Sequence, residues 1–195
     1  MHLILASASP RRRELLERIG LRFTVQVADA DETLLPGLSP KEQVTRLSQI
    51  KAQAVADAAG QPEDTVILSA DTVVVLEDEI LGKPKDEADA ARMLRALSGR
   101  DHLVLTGITV RRGHQVVSHC EETAVHFRPL SDREIAGYIA TKEPMDKAGA
   151  YGIQGYAALF VDKLTGDYYN VMGLPVCAAA MLLRDFGIPL LEETP

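Results

Sequence analysis

The sequence predicts a mixed α/β fold: strands running in both directions, flanked by helices. Three observations carry that expectation. Apolar, strand-like runs alternate with helical stretches along the whole chain. Two capping boxes, Ser39-Pro40-Lys41-Glu42 and Ser131-Asp132-Arg133-Glu134, announce helices. The central strands are joined by short turns, Glu77-Asp78-Glu79 and Arg112-Gly113-His114, which suit hairpins and exclude a purely parallel sheet.

Each element follows in order. Leu3-Ile4-Leu5-Ala6 reads as a strand, followed by the small-residue turn Ser7-Ala8-Ser9. A helix then opens with Ser9 as N-cap and Pro10 at the first helical position, and closes at Gly20. Residues 23–27 form a short strand before the acidic turn Asp29-Ala30-Asp31-Glu32, and the first capping box starts a helix running toward Gly60. Residues 66–76, rich in Val, Ile and Leu, make a buried strand that bends near its middle, with a brief return strand at Ile80-Leu81. Residues 86–98 form an amphipathic helix with Met93, Leu94 and Leu97 inward and Gly99 closing it. Strands at 103–111 and 115–127 precede the second capping box and a helix bearing Ile135, Tyr138 and Ile139. The glycine-rich residues 146–155 are expected as a loop, 157–161 as a strand, and residues after Pro175 as a last helix ending near Gly187.

Composition narrows the function classes. With 195 residues the chain suits one domain, 1–195, and its 46% hydrophobic and 25% charged content is that of a globular protein. A net charge of −7 argues against a nucleic-acid polymer or a membrane surface as partner. The basic residues nevertheless cluster at Arg11, Arg12 and Arg13, at Lys83 and Lys85, and around Lys147, which suits a small anion. Two cysteines cannot build a disulfide framework, no membrane-spanning run is present, and the start is too short and too basic for a signal peptide. A reducing cytoplasm is the expected compartment.

Several residues stand where their chemistry is out of place. Three arginines in the first turn of a helix oppose its dipole, which favours carboxylates there. With the hydroxyls of Ser7 and Ser9 and the helix N–H groups they make a candidate phosphate site; a single arginine there would be read as fanning into solvent at about 100° per residue, but three beside a Ser-x-Ser turn favour an anion. Asp71 lies inside an apolar strand, where an unpaired carboxylate costs several kcal/mol. Thr72 adds a hydroxyl beside it. Lys51 shares the apolar stripe of Val44, Leu47 and Val55 on its helix. Lys83, between Gly82 and Pro84, projects from a stiff turn. Glu32 and Asp71 are the carboxylates expected to hold a divalent ion with a polyphosphate. Gln154, in the glycine-rich loop, can both donate to and accept from a nucleobase edge. No Walker-type phosphate loop and no Gly-x-Ser-x-Gly elbow are present.

Together these segments resemble the Maf family of nucleotide pyrophosphatases, also described as septum-formation inhibitor-like proteins. The resemblance is carried by Ser7-Ala8-Ser9-Pro10-Arg11-Arg12, Asp31-Glu32, Lys51-Ala52, Ala70-Asp71-Thr72-Val73, Gly82-Lys83-Pro84, residues 146–155 and Asn170-Val171-Met172-Gly173-Leu174-Pro175, in that order. It implies an elongated mixed sheet of the Maf and inosine-triphosphatase type, with two lobes around a cleft. It also implies hydrolysis of a nucleoside triphosphate to the monophosphate and pyrophosphate with Mg²⁺ or Mn²⁺, in a homodimer. The similar subgroup acts on dTTP and UTP rather than 7-methyl-GTP; there the residue matching Asp71 is the proton acceptor, and those matching Arg11, Thr72 and Gln154 bear on base choice. The expected mechanism is in-line attack of water on the α-phosphorus, with Arg12, Arg13, Lys51 and Lys83 neutralising phosphate charge. Asp71 is then either the base or chiefly a metal ligand. A nucleotide-sensing regulator of septum formation, binding without turnover, is the alternative class.

Overall fold

The computed structural model describes residues 1–60 and 64–191. Residues 61–63 and 192–195, the last of them the end of the domain expected over 1–195, lie outside the described residues. Among the described residues one mixed sheet has the strand order β2-β1-β3-β5-β6-β7, with β4 on β3. These strands are β1 (His2–Ala6), β2 (Thr24–Val25), β3 (Thr65–Leu76), β4 (Glu79–Leu81), β5 (Asp101–Arg112), β6 (Gln115–Phe127) and β7 (Val161–Thr165). Strand β1 runs parallel to β2 and β3, whereas β4 and β7 are antiparallel to their neighbours. The helices are α1 (Pro10–Arg18), α2 (Pro40–Ala58), α3 (Glu87–Leu97), α4 (Asp132–Ala140), α5 (Tyr168–Met172) and α6 (Val176–Asp185). The hairpin turns therefore decided the sheet type as expected.

The chain divides into two compact units. The first comprises Met1–Asp71, Thr106–Glu121 and Gly173–Pro195, and the second Thr72–Leu105 and Glu122–Met172. In the first, α2 is long because its capping box closes on both sides: Ser39 Oγ accepts from Glu42 N–H, and the Glu42 carboxylate accepts from Ser39 N–H. Its Ala52, Val55 and Ala56 pack against Ile4, Ala6 and Ile67 of β1 and β3. Alanines at the contact let helix and sheet approach closely. Closeness is extreme at Gly107 of β5, where a Cβ would lie 2.5 Å from the Val44 carbonyl oxygen. Hydroxyl groups tie the same helix to the sheet, with Ser48 Oγ 2.7 Å from Thr109 Oγ1 and Ser69 Oγ donating to the Ser48 carbonyl at 2.6 Å.

The second unit is built around an aromatic cluster. Phe127 meets His102, Tyr151 and Phe160 edge to face, and Tyr138 packs on Phe160 in the same way. Met93, Leu94 and Leu97 of α3 and Ile135, Tyr138 and Ile139 of α4 are all buried, as the helical periodicity requires. Asn170 is fully buried and donates to the Val104 carbonyl and to Thr123 Oγ1, both at 2.9 Å. It is therefore a structural residue of the last motif.

Burial holds the His102 imidazole down at about 4, with Asp101 acting in the opposite direction. Its unfolded value is about 6.5, so between those limits the unfolded chain binds a proton that the native chain refuses. The stabilisation is complete above about pH 6.5 and lost as pH falls toward 4, amounting to about 3 kcal/mol. Urea titrations of wild type and His102→Gln should show this as a smaller loss in the variant between about pH 7 and about pH 4.5. Parallel pH profiles would remove His102 as the cause.

Some boundaries differ from expectation. Residues 157–161 are not a strand: Tyr156–Leu159 form a 3₁₀ turn, and the strand begins at Val161. Ala157 and Phe160 are buried while Leu159 is 69% exposed, an i, i+3 pattern that the apolar composition concealed. A 3₁₀ turn at Glu143–Asp146 leads into the glycine-rich segment, which itself contains a 3₁₀ turn at Ala148–Ala150 rather than open loop alone. Strand β2 keeps only two residues, since Val25 and Val27 are exposed and β2 lies at the sheet edge. Before the last helix, Gly173 and Pro175 separate off the short α5.

Candidate active site

The site is built in the first unit from the end of β1, the start of α1, one position of α2 and the strand residue Asp71. The turn between β1 and α1 is organised by Ser7 rather than Ser9. Ser7 Oγ accepts from Ser9 N–H at 3.2 Å and from Arg12 Nη1 at 3.1 Å. Ser9 occupies the N-cap position, but its side chain makes no capping bond. The cap position is therefore as expected, but the side-chain hydrogen bonds come from Ser7, which supplies a local Ser turn that organises the backbone before the helix begins.

The three arginines separate. Arg12 turns inward, with Nε donating to the Gly173 carbonyl at 2.7 Å and Nη1 to the Ala70 carbonyl at 2.8 Å. Burial lowers its pKa from the ordinary value, an effect opposed by the charges of Asp71 and Glu32 and reinforced by Arg11. Arg11 is half-buried, and its side chain makes no hydrogen bond or ion pair with a described residue. Arg13 is on the surface, paired with Glu17 at 2.8 Å, and is not brought to the others.

Lys51 lies on the inner face of α2, as its stripe predicted, and has definite partners. Its Nζ stands 2.6 Å from Asp71 Oδ1 and 3.2 Å from Glu32 Oε2. The Asp71 and Lys51 side chains are 12% and 18% exposed, whereas Glu32 is 60% exposed. The spacing is physical: Ser48 and Lys51 are one helical turn apart, and Ser69 and Asp71 are two strand residues apart. Both pairs therefore meet across the same helix–sheet contact, Ser48 with Ser69 and Lys51 with Asp71. Lys51 grips one carboxylate oxygen; Asp71 Oδ2 accepts no hydrogen bond from a described residue.

Thr72, Lys83 and Gln154 belong to the second unit. Thr72 is half-buried. Lys83 is exposed on a turn whose Gly82 carbonyl accepts from Gly149 N–H at 3.0 Å, which joins two of the sequence motifs. Gly149 has φ +67°, and a Cβ there would meet Val74 side-chain carbons at 2.9 Å, so glycine is required twice over. Gln154 is exposed on the turn closed by Gly155 N–H to the Gly152 carbonyl at 3.0 Å, and its amide bonds to no described residue. The carbonyls of Ala70 and Gly173 that anchor Arg12 were missed, because backbone acceptors leave no signal in residue type.

A family model described as Maf-like protein matches residues 2–186. The chain belongs to the Maf family. Among its Maf relatives, a dTTP/UTP pyrophosphatase of Moorella thermoacetica is 53% identical over 189 residues, 95% of each chain. One from Symbiobacterium thermophilum, of the same name, is 50% identical over 188 residues, 96% of this chain and 95% of that one. A solved nucleoside-triphosphatase / dITP/XTP pyrophosphatase from Mycobacterium abscessus gives a TM-score of 0.45 at 12% identity, covering 96% of this chain and 98% of that one. Among the described residues no helix is long and apolar enough to cross a membrane.

Proposed function

We propose that this Maf chain hydrolyses dTTP and UTP to the nucleoside monophosphate and pyrophosphate, with Asp71 as general base. The observation that carries the reading is the Asp71 carboxylate, held inside an apolar strand by Lys51 through one oxygen and bearing a second oxygen without a described partner. That is the arrangement a base needs: fixed in place, with acceptor capacity left for a water proton. The names of relatives about 50% identical support the substrate class.

In this reading water attacks the α-phosphorus in line and pyrophosphate leaves, while Arg11, Lys51 and Lys83 neutralise phosphate charge and Ser9 offers its hydroxyl. Arg12 holds the backbone next to Asp71 in place, and Arg13 contributes only to the surrounding field. Glu32 and Asp71 meet at Lys51 Nζ, and among the described residues no group of three or more His, Cys, Asp or Glu forms a complete metal cage. Two carboxylates fit Mg²⁺ or Mn²⁺ when phosphate oxygens and water complete the coordination. Such an ion would supply charge neutralisation and water activation. Gln154 reads the O4 and N3–H edge shared by uracil and thymine, with Thr72 assisting base choice; a cytosine amino group would leave donors facing each other. The ligand is a small nucleotide rather than a polymer, the compartment the cytoplasm and the working form a homodimer.

Pyrophosphate release is to be measured from dTTP, UTP, CTP, GTP, ATP and 7-methyl-GTP, with and without Mg²⁺ or Mn²⁺. Metal-dependent release from dTTP and UTP is expected. Nucleotide binding with no release from any substrate would overturn the enzyme reading in favour of a sensor.

A further inference from the structure

The turn that carries Gln154 is held by a side chain that no step of the reaction uses. Gly155 N–H closes the turn on the Gly152 carbonyl, and the turn's two flanks are then tied to one carboxylate. Tyr156 N–H donates to Glu143 Oε2 at 3.1 Å. On the other flank, Gly152 N–H donates to Tyr138 Oη at 3.2 Å, and Tyr138 O–H donates to Glu143 Oε1 at 2.9 Å. Both oxygens of Glu143 are thus committed to the ends of the segment bearing Gln154.

The packing leaves little slack. A Cβ at Gly155 would lie 2.2 Å from both Glu143 oxygens, so the carboxylate presses directly against the turn backbone. Tyr138 is 4% exposed and is braced by Phe160, ring centroids 5.1 Å apart and nearly perpendicular. Glu143 is itself fixed at its backbone. Its N–H donates to Thr141 Oγ1 at 3.2 Å, and its carbonyl accepts from Lys147 Nζ at 2.7 Å. Lys142 just before it adopts φ +64°, a left-handed conformation costly for a side-chain-bearing residue. A half-buried carboxylate that accepts one backbone N–H directly and reaches a second through the Tyr138 hydroxyl makes a brace across the turn.

We propose that Glu143, acting with Tyr138, is the positioning residue that fixes Gln154 for base recognition, so that base preference depends on a side chain that does not touch the nucleotide. The proposal rests on Gln154 being the base reader. A misplacement of about 1 Å in a positioning element can cost on the order of 10²-fold.

The test measures kcat and KM for dTTP and CTP with Mg²⁺, together with urea unfolding, in wild type, Glu143→Ala, Glu143→Gln, Tyr138→Phe, Gln154→Ala and the Glu143→Ala/Gln154→Ala double variant. Glu143→Ala should lower the dTTP-to-CTP ratio of kcat/KM by about tenfold or more, mainly through KM for dTTP. Glu143→Gln should keep the ratio within about threefold of wild type, since its carbonyl can accept from Tyr156 N–H while its amide donates to Tyr138 Oη. In the double variant the ratio should equal that of Gln154→Ala, because no reader remains to be positioned. If Gln154→Ala flattens preference and Glu143→Ala does not, the positioning role fails and the reader stands. An unaltered ratio in Gln154→Ala removes both. Should Glu143→Ala fail to fold, Tyr138→Phe decides: a lowered ratio with wild-type unfolding supports the brace, and a wild-type ratio overturns it.

Discussion

Asp71→Asn should reduce turnover of dTTP by about 10²–10⁴-fold while nucleotide binding changes little. The substitution preserves shape: an amide oxygen can still accept from Lys51 Nζ, now 2.6 Å from Oδ1, and Glu32 still lies 3.2 Å from that ammonium. What disappears is the ability to take a proton at the second oxygen. Single-turnover rates at saturating dTTP, beside calorimetric nucleotide binding, separate the two effects. Unchanged turnover would remove Asp71 from the chemistry. A proportional loss of binding and turnover would instead make its contribution chiefly one of holding charge.

Gly107→Ala should destabilise the protein by about 3 kcal/mol, the upper range of overpacking. The added methyl would meet backbone, not a flexible side chain: 2.5 Å to Val44 O, 2.7 Å to Val44 C and 2.9 Å to Thr45 N. Gly107 has no left-handed φ, so this cost is steric alone. Relief requires α2 to move from the sheet, and α2 also carries Ser48 and Lys51, whose contacts with Ser69 and Asp71 fix the candidate base. Activity should therefore fall in molecules that remain folded. Gly137→Ala on the exposed face of α4, with nothing within 4 Å, should instead stabilise by about 0.5–1 kcal/mol. Urea midpoints for both variants test the pair; equal midpoints would show that the α2–β5 approach is soft.

Local physics made much of this legible. Capping chemistry located α2 and α4, and the apolar stripe placed Lys51 on the inner face because helical period and burial agree there. Asp71 revealed itself by desolvation cost, and the short turns gave the sheet its mixed character. Failures arose where a side chain's partner or its burial is set by the folded geometry rather than by residue type. Ser7 rather than Ser9 organises the first turn because Arg12 reaches it from inside the helix. Residues 157–161 looked like a strand until the burial of Ala157 and Phe160 favoured a 3₁₀ turn. Glu143 carries no signal of its own, since its partners Tyr138, Gly152 and Tyr156 are brought to it only by the fold.

Arg12 bears on how the molecule comes to be made. Its guanidinium bridges the Ala70 carbonyl, 58 residues away, and the Gly173 carbonyl, 161 residues away. A chain emerging from the ribosome has its N-terminal turn and Asp71 long before Gly173 exists. The Arg12 bond to Gly173 can form only after a further 161 residues have been added. Completion of the backbone around Asp71 is thereby coupled to synthesis of Gly173, and a chain stalled or truncated before that residue would lack this anchor however well its early strands had paired.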